Sequence, residues 1–154
     1  MATTVTERLA ELGIVLPSPA GALANYVAAR RSGDLLVVSG QLPMEAGAVR
    51  FKGKLGAGVS LEDGAAAARL CAINILAQVQ AACGDLERVV ACVRLGGFVA
   101  CTPEFTDHPK VVNGASDLMV AVLGDAGRHA RAAVGVASLP FDAAVEVEGM
   151  FEVR

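Results

Sequence analysis

The stretch from Ser60 to Gly84 places the tightest limit on the fold. Ser60-Leu61-Glu62-Asp63 offers a capping hydroxyl and two carboxylates where a helix start is electropositive, and Gly84 supplies the stop. Between them Ala66, Leu70, Ile73, Ala77 and Ala81 recur at helical spacing and predict one apolar face. A helix of this length, roughly 35 Å at 1.5 Å per residue, needs a broad second layer to cover that face.

The rest of the chain supplies that layer. Residues 26–31 and 35–39 read as a hairpin around Ser32-Gly33-Asp34, and residues 89–100 as a long strand bent at Gly96-Gly97. Residues 131–138 and 143–153 read as a second hairpin around Leu139-Pro140-Phe141-Asp142. A short strand at 48–52 interrupts an otherwise Gly-rich loop. A further helix starts near Asp107 or Pro109, carries Val112, Met119, Val120 and Leu123, and stops at Gly124. Near the N-terminus, Thr4 or Thr6 caps a short helix bearing Val5, Leu9 and Leu12; Gly13 ends it, and Pro17 and Pro19 enforce extended chain. This order predicts an α+β fold in which two helices cover one face of a mostly antiparallel sheet.

The other sheet face needs a partner as well. Of 154 residues, 54% are apolar, yet there is no Trp, one Tyr and five Phe, so the core is built from small aliphatic side chains. Such residues bury little area each, and the chain is expected to complete its burial against further copies of itself. One domain over residues 1–154 is expected, with 1–20 as a helical extension, since no linker or repeat divides the chain.

Several function classes lose support at this stage. A net charge of -3, with no basic run beyond Arg30-Arg31, provides no electrostatic footprint for nucleic acid. Cys71, Cys83, Cys92 and Cys101 form no C-x-x-C pair, and the acidic N-terminus lacks a signal-type apolar core, so packed thiols in a reducing cytoplasm are expected. No uninterrupted apolar run reaches about 18 residues, which argues against a membrane span. Walker, nucleophile-elbow, H-E-x-x-H and dinucleotide motifs are missing, and His108 and His129 stand outside ligand-like spacing, so no metal or other cofactor is expected.

What stands out is charge within apolar strands. Arg131 opens Ala132-Ala133-Val134-Gly135-Val136-Ala137, where small neighbours leave room for a carboxylate to meet the guanidinium fork. Glu146 and Glu148, two apart in Val145-Glu146-Val147-Glu148, share the strand face opposite the valines. On these residues alone, a solvated face or a structural Arg–Glu pair competes with a functional site.

Ser39-Gly40-Gln41-Leu42-Pro43 after an apolar strand, Asn74 in the long helix, Gly84-Asp85-Leu86-Glu87-Arg88-Val89-Val90, and Ala130-Arg131 followed by Val134, Leu139-Pro140 and Val145-Glu146-Val147-Glu148 together resemble the RidA family, also called YjgF or endoribonuclease L-PSP. The resemblance runs from about Tyr26 to the C-terminus, and the leading segment looks like a longer branch with an added N-terminal helix. It implies a chorismate-mutase-like fold assembled as a homotrimer with ligand clefts between subunits. The activity it implies is hydrolysis of 2-aminoacrylate-type enamines and imines to 2-keto acids and ammonia, without metal or organic cofactor. Carried over by position, Arg131 clamps the substrate carboxylate, assisted by the Ala133 backbone N–H, and Glu146 holds or activates the attacking water. Tyr26 lines the cleft, with Gly40 and Asn113 close by. The chain departs from the family at Ala132 and Ala133, where Ser or Cys is common, and at Ser116, where an aromatic is usual.

Three functions therefore compete: a deaminase resting on Arg131 and Glu146, a non-catalytic trimeric binder of small carboxylates or chaperone-like module, and a ribonuclease or translation inhibitor. The third is disfavoured by the acidic balance and the shortage of stacking aromatics.

Overall fold

The computed structural model describes residues 3–22 and 24–154. Helix α1 (Val5–Glu11) is capped reciprocally: the Thr4 hydroxyl accepts from the Glu7 amide at 3.1 Å, and the Glu7 carboxylate accepts from the Thr4 amide at 2.8 Å. Strands β1 (Ala29–Ser32) and β2 (Leu35–Gln41) form the expected hairpin, although Tyr26 lies ahead of β1 in a bend. Two small pairs follow: β3 (Met44–Glu45) with β4 (Ala48–Val49), and β5 (Lys54–Leu55) with β6 (Gly58–Val59). Then come α2 (Leu61–Cys83), β7 (Val89–Ala100), α3 (His108–Leu123), β8 (Ala130–Val136) and β9 (Val145–Val153).

The main sheet has the order β1-β2-β9-β7-β8. All neighbours are antiparallel except β7 and β8, so the sheet is mixed. The expected closing hairpin does not form. After β8 the chain passes a short turn at Pro140–Asp142, and the Ala144 carbonyl accepts from the Ala100 amide at the end of β7, which carries β9 to the far side of β7. The β7-α3-β8 crossover thus places Arg131 on an edge strand rather than beside the glutamates.

Both long helices pack on one face of the sheet. Val145, Val147, Phe151 and Val153 of β9, with Leu95 and Val99 of β7, meet Ala68, Cys71, Ile75 and Val79 of α2 and Val112, Ala115 and Met119 of α3 in one core. The buried stripe of α2 is thereby rotated from the expected Ala66–Leu70–Ile73–Ala77–Ala81 line: Ala77 is buried and Leu70 and Ile73 half-buried, but Ala66 and Ala81 are exposed, whereas Ala67, Ala68, Cys71, Ala72, Ile75 and Leu76 are sealed. In a helix apolar on nearly every side, side-chain size at the contact decides the stripe. Close approach is made possible by glycine: a Cβ at Gly114 of α3 would strike the Ala65 backbone of α2, and one at Gly97 of β7 would strike Val112. Gly96-Gly97 is accordingly regular strand, and the irregularities of β7 fall earlier, at 89–91 and 92–94.

By length and composition α2 passes for a membrane span, but here it is the central packed helix. Among the described residues the opposite sheet face has no covering layer: Phe98, Met150 and Val134 lie there among Arg94, Glu146, Glu148 and Glu152, as the register requires.

Candidate functional site

Arg131 pairs in register with Leu95, a core residue, and so projects toward the helices. There α3 presents Asn113 and Ser116 one turn apart. Arg131 Nη1 donates to Asn113 Oδ1 at 2.8 Å and to Ser116 Oγ at 3.1 Å, while Nη2 reaches the Pro109 carbonyl at 3.4 Å. Every acceptor is neutral, and no ion pair among the described residues includes Arg131. The guanidinium is held in place with its charge uncompensated, the condition for receiving an anion. Ala133 follows on the same strand. Because Val136 accepts from the Cys101 amide, alternate peptide groups of β8, including that of Ala133, point off the sheet edge.

Glu146 lies elsewhere. It pairs in register with Phe98 on the uncovered face, so the chain carries Arg131 and Glu146 on opposite sides of its sheet, with β7 between β8 and β9. The half-buried Glu146 carboxyl is pushed up from the usual carboxylate range, first by loss of water and second by the neighbouring Glu148. Glu148 has a counter-charge, Arg94 Nη1 at 3.4 Å; Glu146 has none among the described residues. The structural Arg–Glu pair that the sequence left open therefore forms between Arg94 and Glu148, not at Arg131.

The Ser39-Gly40-Gln41-Leu42-Pro43 motif shapes the ground around Glu146. Gly40 is the position against which its carboxylate lies: a Cβ there would collide with Oε1. Ser39 donates to the Val27 carbonyl at 2.8 Å and its amide bonds the Ala28 carbonyl, fixing the segment that follows Tyr26. Asn74 of α2 donates to the Leu42 and Met44 carbonyls, both at 3.0 Å, anchoring the motif's other end. Gly40 and Tyr26 together line a cavity of about 420 Å³ with Gln41, Lys52 and Phe141. A larger opening of about 530 Å³ between residues 15–20 and α2 has Glu45 as its one ionisable lining residue, and Arg50 neutralises that carboxylate at 2.9 Å.

The six residues expected from sequence thus fall into two groups. Arg131, Asn113 and Ala133 belong to the α3/β8 side, and Glu146, Gly40 and Tyr26 to the β2/β9 side. Sequence reasoning overlooked Ser116 as a partner of Arg131 and His129 as a partner of Ser116. His129 Nε2 lies 2.9 Å from Ser116 Oγ, and its Nδ1 lies 2.6 Å from the Gly127 carbonyl. The signal was present in the spacing: 113 and 116 share a helix face, and 129 lies two residues before 131, just ahead of β8.

A five-stranded mixed sheet backed by two long helices, with the Arg131 guanidinium on one face and a half-buried carboxylate on the other, defines a chorismate-mutase-like α+β protein. The chain belongs to the YjgF/chorismate mutase-like endoribonuclease family, whose profile matches residues 6–152. It is 50% identical over 151 residues to Protein TCP17 of Trypanosoma cruzi, covering 97% of this chain and 94% of that one. The crystal structure of Atu1372 from Agrobacterium tumefaciens, of unknown function, is 52% identical over 97% of this chain and 92% of that one, with a TM-score of 0.92. A Shewanella oneidensis protein carrying the endoribonuclease designation is 36% identical over 98% of this chain and 100% of that one, with a TM-score of 0.95. Solved YjgF and RidA structures share the fold.

Proposed function

We propose that the protein is a cofactor-independent imine/enamine deaminase, hydrolysing reactive 2-imino acids of the 2-aminoacrylate type to 2-keto acids and ammonia in the cytoplasm. The carrying observation is the Arg131 guanidinium, held by neutral acceptors and left without a carboxylate. Arg131 binds the substrate carboxylate, with the Ala133 amide as a second donor and Asn113 fixing the fork. Glu146, its pKa raised by desolvation, takes a proton from the attacking water, and Gly40 and Tyr26 shape the wall beside it.

The two groups act together only across copies. In a homotrimer whose uncovered sheet faces turn inward, Arg131 of one subunit faces Glu146 of the next, and each cleft takes one half from each neighbour. An imine already presents an electrophilic carbon, so positioning the carboxylate and delivering water is sufficient chemistry.

The test is decay of imino acids generated by an amino-acid oxidase, followed with wild type, Arg131→Ala and Glu146→Gln, alongside the sedimentation mass. Arg131→Ala is expected to raise KM and Glu146→Gln to lower kcat. Saturable carboxylate binding that needs Arg131 but brings no ammonia release would replace this reading with the non-catalytic binding module. RNA cleavage lost in Arg131→Ala would replace it with a nuclease.

A further inference from the structure

The Ser116–His129 pair is connected too specifically to be packing alone. The Gly127 carbonyl can only accept, so His129 Nδ1 carries a hydrogen at 2.6 Å and the tautomer is fixed. In the neutral ring Nε2 is bare and accepts the Ser116 hydroxyl at 2.9 Å. In the imidazolium Nε2–H donates to Ser116 Oγ instead, and the hydroxyl hydrogen turns outward. The same oxygen accepts from Arg131 Nη1 at 3.1 Å, so that outward hydrogen emerges beside the carboxylate clamp. In a 2-imino acid the imine nitrogen is one carbon away from the carboxylate, within reach of a donor beside Arg131.

We infer that Ser116 is the proton donor to the substrate nitrogen and that His129 positions and recharges it, completing the acid half of a reaction whose base is Glu146. This inference rests on the deaminase reading. In the first step Ser116 O–H gives its proton to the imine nitrogen as His129 Nε2–H replaces it. Water loses a proton to Glu146, its oxygen bonds the carbon, and the C=N π pair moves to nitrogen. In the second step the carbinolamine nitrogen takes the proton from Glu146, and the hydroxyl proton returns to His129 through Ser116. The C–N bond breaks with its pair on ammonia. All three side chains, Ser116, His129 and Glu146, end as they began.

The charged groups on the elements around the ring are few. Arg131 lies on its own strand, Asp125 and Arg128 pair with each other at 3.5 Å in the preceding turn, Asp117 is on α3, and Arg94, opposite Ala130 on β7, is paired with Glu148.

The experiment compares wild type, Ser116→Ala, Ser116→Thr and His129→Gln in the imino-acid decay assay between about pH 6 and 9, uncatalysed decay subtracted. Binding of pyruvate as an unreactive carboxylate is measured by calorimetry in parallel. Ser116→Ala is expected to lower kcat by on the order of 10²-fold, with pyruvate affinity changed by less than about threefold, the scale of one modest contact. Ser116→Thr restores turnover, and His129→Gln lowers kcat and alters its pH profile while leaving pyruvate affinity alone. Wild-type kcat and an unchanged pH profile in Ser116→Ala and His129→Gln overturn the relay while leaving the deaminase standing. No acceleration by wild type overturns both.

Discussion

Replacing Gly40 by Ala separates the position of the Glu146 carboxylate from everything else in the fold. The added Cβ would overlap Oε1 and stand 2.8 Å from Cδ and 3.2 Å from Cγ, so the side chain must rotate away. Gly40 is outside the left-handed region, so the backbone accepts alanine, and the loss of unfolded-state freedom contributes about 0.4–1 kcal/mol in its favour. Overpacking costs about 1–3 kcal/mol where the clash cannot relax; here the struck atoms end a flexible, half-buried side chain, so the lower end applies. The net destabilisation is about 1 kcal/mol or less, a Tm shift of about 2–4 °C at this size. Activity has no such relief, because a base moved by more than an ångström loses on the order of 10² in rate, or about 2.7 kcal/mol of transition-state stabilisation.

Two thermodynamic cycles test this reasoning. Gly40→Ala should lower kcat on the order of 10²-fold in the wild type and scarcely further in Glu146→Gln, where the base is already gone. Its stability cost should persist in Glu146→Gln, which has the same shape, and vanish in Glu146→Ala. Imine decay gives the first cycle and urea unfolding the second. Wild-type kcat in Gly40→Ala, or an undiminished rate loss in the Glu146→Gln background, would refute the claim that this glycine exists to seat that carboxylate.

Other outcomes follow from the same contacts. Because folding raises the Glu146 pKa, the native state binds this proton more tightly than the unfolded chain does. The contribution is fully present below the ordinary value of 4.5 and is lost as pH rises through the raised one. Glu146→Gln should therefore raise Tm at pH 7 and leave it unchanged near pH 4, as scanning calorimetry would show; a gain equal at both would contradict the desolvation argument. Arg94→Ala, which breaks an exposed pair with Glu148, should cost about 0–1 kcal/mol and leave carboxylate affinity alone, whereas Arg131→Ala should weaken it at least tenfold. Iodoacetamide on the native protein should label Cys101 first, by peptide mass. Cys71 is fully buried with its thiol pushed up by burial and by Glu146, Cys92 is pushed up to about 12 by burial, and Cys83 is buried.

Local signals carried the element boundaries well. Ser60 and Gly84 bracket α2, Thr4 with Glu7 forms the cap of α1, and Asp107 and Gly124 flank α3 as expected. What failed depended on partners far away in sequence. The stripe of α2 was misread because alanine on most sides leaves no periodic contrast, and glycines at 64 and 114 set the helix contact instead. Gly96-Gly97 reads as a bend by composition, yet it is straight because α3 and Glu148 press on it from opposite faces. The closing hairpin was the largest error. Two strands with a short turn between them satisfy every local rule for pairing, and only the insertion of β7, which needs both neighbours, separates them.

That separation has a chemical consequence. Had β8 and β9 paired around residues 139–142, Arg131 would share a sheet face with Glu146 and Glu148 and lie diagonal to Glu148 across the ladder, free to neutralise it as Arg94 does. A neutralised guanidinium has little capacity left for a substrate carboxylate, and a carboxylate beside it has its pKa held down, making it a poor base near neutral pH. With β7 inserted and the two side chains on opposite faces, neither charge has a counter-ion among the described residues. Arg131 keeps only neutral acceptors and Glu146 remains a raised-pKa carboxylate. In the proposed reaction both serve one substrate only where a second copy brings its β2/β9 face to the α3/β8 edge of the first. The sheet order that defeats a local reading of the sequence is thus the feature that keeps the two groups chemically distinct.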